Sequence, residues 1–285
     1  MKISELKNNI QTRLENAGIP DAESDTRIIL REFANVSLSD LYSDPDTELD
    51  TSVDTDKLEE VISLRVKRIP LQHIIGKTCF MGFDFEVSPD ALIPRPDTEI
   101  LAEEALRDYH DGSKILDLCT GTGCIITSLI ALMNDCYGVG TDISGKALAL
   151  ASKNADTILS GKRNRLVFKQ GDLYSALDAG ERFDVIVSNP PYIRTADIDA
   201  LMPEVKDHDP LLALDGGDDG LIFYRRIIEG AKEHLVKGGD LLLEIGCDQA
   251  EDVMKIMEEN RFIEINCIKD YAGCDRVIRG ILPLL

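Results

Sequence analysis

Apolar residues recur at helical spacing through the first 70 positions. Leu6, Ile10 and Leu14 stand four apart, and Gly18-Ile19-Pro20 closes that run. Asp21 or Ser24 is placed to cap a second helix whose apolar face carries Ile28, Ile29, Leu30 and Phe33. The acidic run Ser43-Asp44-Pro45-Asp46 reads as a loop. Asp54 or Thr55 then opens a helix with Leu58, Val61, Ile62 and Leu64 inward. Its end holds Arg65, Lys67 and Arg68, where cations complement the helix dipole. The pattern predicts a helical bundle over residues 1–69, either a partner-recognition module or a cap on a larger domain.

Over residues 70–93 the period changes to two. Phe83, Phe85 and Val87 alternate after a central Gly82, as in a β-hairpin connector. Thr98 or Asp97 is placed to cap a helix through Leu101, Ala105 and Leu106. From Lys114 onward short apolar strands alternate with helices, the sign of a parallel sheet covered on both faces. Strands are expected at 115–118, 137–141, 166–168, 183–188 and 241–245, with two more near 262–265 and 276–281. Helices are expected at 125–132, 144–160, 221–235 and 249–258, with a long polar insertion ending at Gly220. The fold class is therefore α/β: a seven-stranded, Rossmann-like domain over 94–285, preceded by the hairpin and the bundle.

Composition narrows the function. The 285 residues carry 52 acidic against 31 basic side chains, a net charge of −21, which disfavours a partner gripped through phosphates. It suits a small molecule or a protein partner, and no direct nucleic-acid contact is expected. No apolar run reaches the roughly 18 residues a membrane span requires, and the first residues lack a secretion signal. Seven cysteines without a CxxC pair predict reduced thiols and a cytoplasmic location, and no metal site is expected.

The chemistry gathers at strand ends. Ser188-Asn189-Pro190-Pro191-Tyr192 follows the fourth sheet strand. Two prolines remove two donors and hold Asn189 extended, so its amide oxygen and nearby carbonyls suit a planar NH2 ligand. Cys119-Thr120-Gly121-Thr122-Gly123 turns from the first sheet strand into a helix, and its glycines let a ligand approach the backbone. Asp142 follows Gly123 by about 20 residues, the position of a ribose-binding carboxylate. A third glycine three residues on is missing, which disfavours a pyrophosphate. S-adenosylmethionine fits such a site. Asp117 and the first turn would face its methionine end, Asp142 its ribose, Asp172 its adenine amino group and Leu173 its ring.

The combination resembles one family closely. An Asn-Pro-Pro-Tyr motif after the fourth strand is similar to that of class I methyltransferases acting on planar NH2 groups. The stretches 70–76 (PLQHIIG), 92–99 (LIPRPDTE), 116–124 (LDLCTGTGC), 187–193 (VSNPPYI), Asp215-Gly216-Gly217 with Asp219-Gly220-Leu221, and 241–246 (LLLEIG) resemble the HemK/PrmC-type release factor glutamine methyltransferases. Cys119 departs from the glycine usual there, a change that bears on cofactor affinity. The resemblance implies methyl transfer from S-adenosylmethionine, leaving S-adenosylhomocysteine, to the glutamine amide of a Gly-Gly-Gln loop in bacterial class I release factors. Asn189 and Pro190 would accept from that amide, Tyr192 would flank it, and Pro191, Arg95 and Pro96 would border the pocket. The bundle would recognise the release factor. An adenine-N6 DNA or RNA methyltransferase using the same motif is the alternative, and a non-enzymatic binding module with this fold is a second.

Overall fold

The computed structural model describes residues 2–107 and 110–284, and two compact units divide them. The first comprises Met1–Gly76 with Met202–His208. It holds α1 (Ile3–Asn16), α2 (Ala22–Ala34), α3 (Leu38–Ser43), α4 (Thr55–Val66) and α5 (Leu71–Ile75). Ile10, Leu14, Ile29, Leu30, Val61 and Ile62 bury its core at helical spacing. Asp54 caps α4 by accepting from the Lys57 amide at 2.9 Å. Asp21 precedes α2 but its side chain makes no cap bond. The six-residue α3 was not legible as a helix, because it lacks a full apolar turn. A reciprocal box holds it, with Ser37 Oγ accepting from the Asp40 amide and Asp40 from the Ser37 amide.

Two expectations for α4 need correction. Leu64 is only partly buried, while Arg65 is buried. Arg65 does not serve the helix dipole from the surface. It donates to Asp25 at 2.7 Å and to Glu204 at 2.9 Å, and Arg68 reaches Glu204 at 2.5 Å. The acids that draw these arginines inward lie 40 and 139 residues away from Arg65, beyond any local pattern.

The second unit, Lys77–Leu201 with Asp209–Leu285, opens with the hairpin of β1 (Lys77–Phe80) and β2 (Phe83–Glu86). Met81 and Gly82 both have positive φ, 51° and 80°, as a two-residue hairpin turn of matching twist demands. Phe80 and Phe85 are fully buried and meet edge to face at 6.1 Å between ring centres. After α6 (Glu99–Ala105) come β3 (Lys114–Leu118), α7 (Cys124–Leu132), β4 (Tyr137–Asp142), α8 (Gly145–Ile158), β5 (Leu166–Gln170) and β6 (Phe183–Ser188). Then follow α9 (Ile222–His234), β7 (Leu235–Glu244), α10 (Ala250–Glu259), β8 (Ile263–Lys269) and β9 (Asp275–Ile281).

The seven-stranded sheet runs β5-β4-β3-β6-β7-β9-β8. Its first five strands are parallel, and β9 is antiparallel to both neighbours. The class expected from alternation is therefore the fold observed, with one reversed strand near the edge. Strand β7 starts six residues before the expected 241 and carries a register shift against β6. The inner strand β3 is buried from Ile115 to Leu118, and the chain order reverses between it and β6. A crevice opens at such a point, off the carboxyl ends of the strands. The insertion after β6 forms short turns, and Leu211 and Leu212 within it are exposed. No helix among the described residues is long and apolar enough to cross a membrane.

Candidate active site

A cavity of about 240 Å³ lies in this crevice, within the second unit. Its floor is the turn after β3. Cys119 and Gly121 adopt left-handed φ of 59° and 55° there, so the backbone folds tightly before α7. The Gly121 amide donates to Asp142 Oδ2 at 2.9 Å and the Ser144 amide to Oδ1 at 2.8 Å. Burial lifts the Asp142 carboxyl above its ordinary pKa even against these donors. Asp117 lies beneath the turn rather than on the cavity surface. Its Oδ2 accepts the Thr120 hydroxyl at 2.6 Å, and its Oδ1 is buried without a partner. Full burial raises it to about 7.

Cys119, Thr120, Gly121, Thr122, Asp142, Asp172 and Leu173 all line the cavity. Gly123 does not; a Cβ there would come within 2.9 Å of Ala151, so this glycine serves the packing of α7 on α8. Asp172 is exposed and ion-paired to Arg226 at 2.7 Å. Arg226 in turn stands over the Phe223 ring at 5.9 Å. Phe223 and Arg226, one helical turn apart on α9, join Ile143 in lining the same end. Sequence reasoning missed all three. Ile143, an apolar residue immediately after the strand-end Asp142, carried a usable signal; the α9 pair did not.

At the opposite wall, Asn189 and Pro191 border the cavity, whereas Pro190 and Tyr192 do not. Asn189 Nδ2 donates to Thr98 Oγ1 at 3.2 Å. Thr98 or Asp97 was expected to cap α6; Thr98 holds the cap position, but its side chain makes no cap bond and meets Asn189 instead. The Tyr192 hydroxyl points to Glu244 Oε1 at 3.4 Å. Burial raises its pKa, so it stays protonated. Arg95 lines the cavity and donates to the buried Asp209 at 2.6 Å. That pair anchors the start of a segment whose Pro210, Leu212 and Ala213 complete the wall.

The glycine-rich stretch that ends the insertion acquires a physical role. Ile193 and Asp215 form a parallel bridge, with the Gly216 amide donating to Ile193 O at 2.8 Å. A Cβ on Gly216 would lie 2.7 Å from Tyr192 Cα, and one on Gly220 would lie 2.5 Å from Tyr192 O. Only glycine lets this segment press so closely on the Asn-Pro-Pro-Tyr loop. Gln249, 2% exposed, closes the arrangement by donating to Tyr192 O at 3.0 Å and Gly220 O at 3.2 Å. Its position at the start of α10 gave no sign of that duty. Among the described residues no group of three or more His, Cys, Asp or Glu could hold a metal.

The cavity thus joins an anionic, glycine-floored end to an end where a rigid amide faces inward. A family model for the PrmC N-terminal domain matches residues 5–76, and one for the methyltransferase small domain matches 96–205. The release factor glutamine methyltransferase of Geobacter sulfurreducens is 40% identical over 267 residues, covering 94% of this chain and 92% of its own. That of Clostridium acetobutylicum is 41% identical over 225 residues, 78% of each chain. A methyltransferase structure from Pyrococcus furiosus shares the fold, with a TM-score of 0.54 at 22% identity over 78% of this chain and 99% of its own. With identity of this order across nearly the whole length, the chain belongs to the release factor glutamine methyltransferases.

Proposed function

We propose that the protein transfers the methyl group of S-adenosylmethionine to the side-chain amide nitrogen of the glutamine in a Gly-Gly-Gln loop of bacterial class I release factors. The observation that carries this reading is the Asn189 amide, whose NH2 is taken by Thr98 and whose oxygen is left for a ligand in the cavity. The cavity suits the cofactor chemically. Asp142 is placed for ribose hydroxyls, and Ile143, Leu173 and Phe223 offer apolar walls to an adenine ring. Cys119, Thr120, Gly121 and Thr122 would hold the methionine end, with Asp117 supporting them through Thr120. Asp172 would have to leave Arg226 to accept from the adenine amino group.

S-adenosylmethionine supplies an electrophilic methyl carbon. The protein's task is to present a weak nucleophile, since an amide nitrogen has a delocalised lone pair. Asn189 Oδ1 and the Pro190 carbonyl would accept from the substrate NH2 and fix its direction. Orientation of this kind can supply several kcal/mol of the barrier, up to about 7–11 in favourable cases. Tyr192, held protonated beside Glu244, would steady the loop next to the amide plane. Arg95, Pro191 and the 210–213 segment would wall off water. No general base is required, because an amide bearing a new N–C bond loses its proton readily.

The helical bundle of residues 1–69 would recognise the release factor, residues 70–93 would link it to the catalytic domain of 94–285, and the protein would work in the cytoplasm. Incubating the protein with labelled S-adenosylmethionine and a bacterial release factor, wild type or with the Gly-Gly-Gln glutamine replaced, tests the whole reading. Label on the wild type alone is expected. Label on the replaced factor would move the target elsewhere, and label on nucleic acid instead would favour an adenine-N6 methyltransferase.

A further inference from the structure

The main chain of the Asn-Pro-Pro-Tyr loop cannot donate at either proline, so it is fixed at its two ends. At the entry, Ser188 ends β6 and its hydroxyl donates to Leu118 O at 2.7 Å. At the exit, Tyr192 O accepts from Gln249 Nε2 at 3.0 Å. Gln249 stands at the cap position of α10, yet its side chain makes no cap bond to that helix. Its amide serves other groups. Oε1 takes the Gly246 amide at 2.9 Å and faces the Tyr224 hydroxyl at 3.3 Å, while Nε2 also donates to Gly220 O at 3.2 Å. A main-chain N–H only donates and a carbonyl only accepts, so the Gln249 amide has one orientation that satisfies all of them. A Cβ on Gly220 would lie 2.6 Å from Nε2, so the fit leaves no room for a larger residue. Beside it Arg194 pairs with Asp248 at 2.8 Å, but Asp248 is exposed and a pair of that kind contributes little.

We propose that Gln249 is a positioning residue for methyl transfer, which fixes the exit of the loop so that Asn189 Oδ1 and the Pro190 carbonyl keep their aim. The inference rests on the functional reading above and adds a residue that does not border the cavity.

With φ fixed at both prolines and with Ser188 and Tyr192 held, the loop between them has little freedom to turn the Asn189 amide. Releasing the exit lets the loop shift against the methyl donor. A misplacement of about 1 Å at a reacting centre can lower a rate roughly 10²-fold. The cofactor end is set by the turn after β3 and its bond to Asp142, neither of which Gln249 touches. Loss of Gln249 should therefore appear in the chemical step and not in cofactor binding.

Full-length Gln249→Met and Gln249→Glu proteins are compared with wild type for release factor methylation, for S-adenosylmethionine affinity by calorimetry and for folded fraction by circular dichroism. Gln249→Met keeps the side-chain length and removes every hydrogen bond of the amide. Its kcat per folded molecule should fall roughly 10- to 100-fold, with cofactor affinity and the KM for release factor within about threefold of wild type. Gln249→Glu keeps the acceptor for Gly246 and, when ionised, sets a carboxylate oxygen against the Tyr192 and Gly220 carbonyls. Protonated, it donates to one of them again. Its kcat relative to wild type should therefore rise as pH falls, while the same ratio for Gln249→Met stays flat. Taking the ratio removes the titration of Glu244, which all three proteins share, and burial keeps Tyr192 and Tyr224 neutral throughout. Wild-type kcat in Gln249→Met, a kcat loss matched by an equal loss of cofactor affinity, or a flat ratio in Gln249→Glu overturns the inference. Should Gln249→Met lose its fold, the Gln249→Glu ratio decides. A wild-type protein that labels no release factor overturns the functional reading itself, and the inference with it.

Discussion

Gly121 and Asp142 are joined across two strands: the Gly121 amide donates to Asp142 Oδ2 at 2.9 Å, so the carboxylate that ends β4 also shapes the turn that follows β3. Removing it would release two backbone donors and any ribose contact together. A charge-assisted hydrogen bond contributes about 1.5–3 kcal/mol, so Asp142→Ala should weaken S-adenosylmethionine binding by roughly 10- to 100-fold. Titration calorimetry measures this directly, and an unchanged affinity would leave Asp142 as a turn-shaping residue alone.

Asn189 acts at the other end of the cavity. Asn189→Ala removes the acceptor that orients the substrate nitrogen and leaves the Asp142 end intact. Deleting one preorganised polar group at a reacting centre lowers turnover by about 10²–10³-fold. Release factor methylation should fall by that amount, with cofactor affinity little changed. Near-wild-type turnover would refute the assigned role.

These two residues were legible in the sequence because each sits at a strand end next to residues that restrict the backbone. Alternation gave the sheet and its flanking helices, since a buried parallel strand must be apolar throughout. What was not legible depends on pairing at a distance. Thr98 reads as a helix cap, yet its hydroxyl meets Asn189, 91 residues on. Gln249 reads as a helix start, yet it bridges Tyr192 and Gly220. The reversal of β9 is equally silent, because a strand has the same period in either direction. Tyr192, prominent in the motif, turns to Glu244 and away from the cavity surface.

Cys119 occupies a backbone position that prefers glycine. Its φ of 59° is left-handed, which brings Cβ toward the following carbonyl at about 1–2 kcal/mol. Glycine would remove that strain but would gain freedom in the unfolded chain, worth about 0.4–1 kcal/mol. Cys119→Gly should therefore stabilise the protein by roughly 0.5–1 kcal/mol, the difference between these terms. A higher urea midpoint at unchanged slope would show it. A lower midpoint would mean that the packing of the thiol outweighs the strain.

Asp117 makes stability depend on pH. Burial raises its carboxyl from 3.8 to about 7 in the folded protein, against the pull of the Thr120 hydroxyl. The folded state thus holds a proton that the unfolded chain releases above pH 4 or so. The contribution is full below the unfolded pKa and is lost as pH rises through about 7. Asp117→Asn keeps an acceptor for Thr120 and abolishes this loss. At pH 8 the variant should be more stable than wild type by about 2–4 kcal/mol, with the advantage shrinking toward pH 4. Urea unfolding at both pH values tests the sign; equal differences at the two would exclude Asp117 as the source.

Within the N-terminal unit, Arg65 holds two acids at once. Its side chain is 7% exposed, with Asp25 at 13% and Glu204 at 12%. Burial lifts the Asp25 carboxyl while Arg65 pulls it down, and burial is the larger effect. Arg68 compensates Glu204 but does not contact Asp25. Arg65→Met would leave Asp25 buried and unpaired and halve the support for Glu204, so it should cost about 3–5 kcal/mol. The double variant Arg65→Met/Asp25→Leu removes the stranded charge and should recover a large part of that loss, since a well-packed apolar pair can equal a buried ion pair. Denaturant unfolding of the two variants checks both statements. Equal stability of the single and double variants would show that Asp25 finds water or protonates at no penalty, and that the pair contributes nothing to holding α4 against α2.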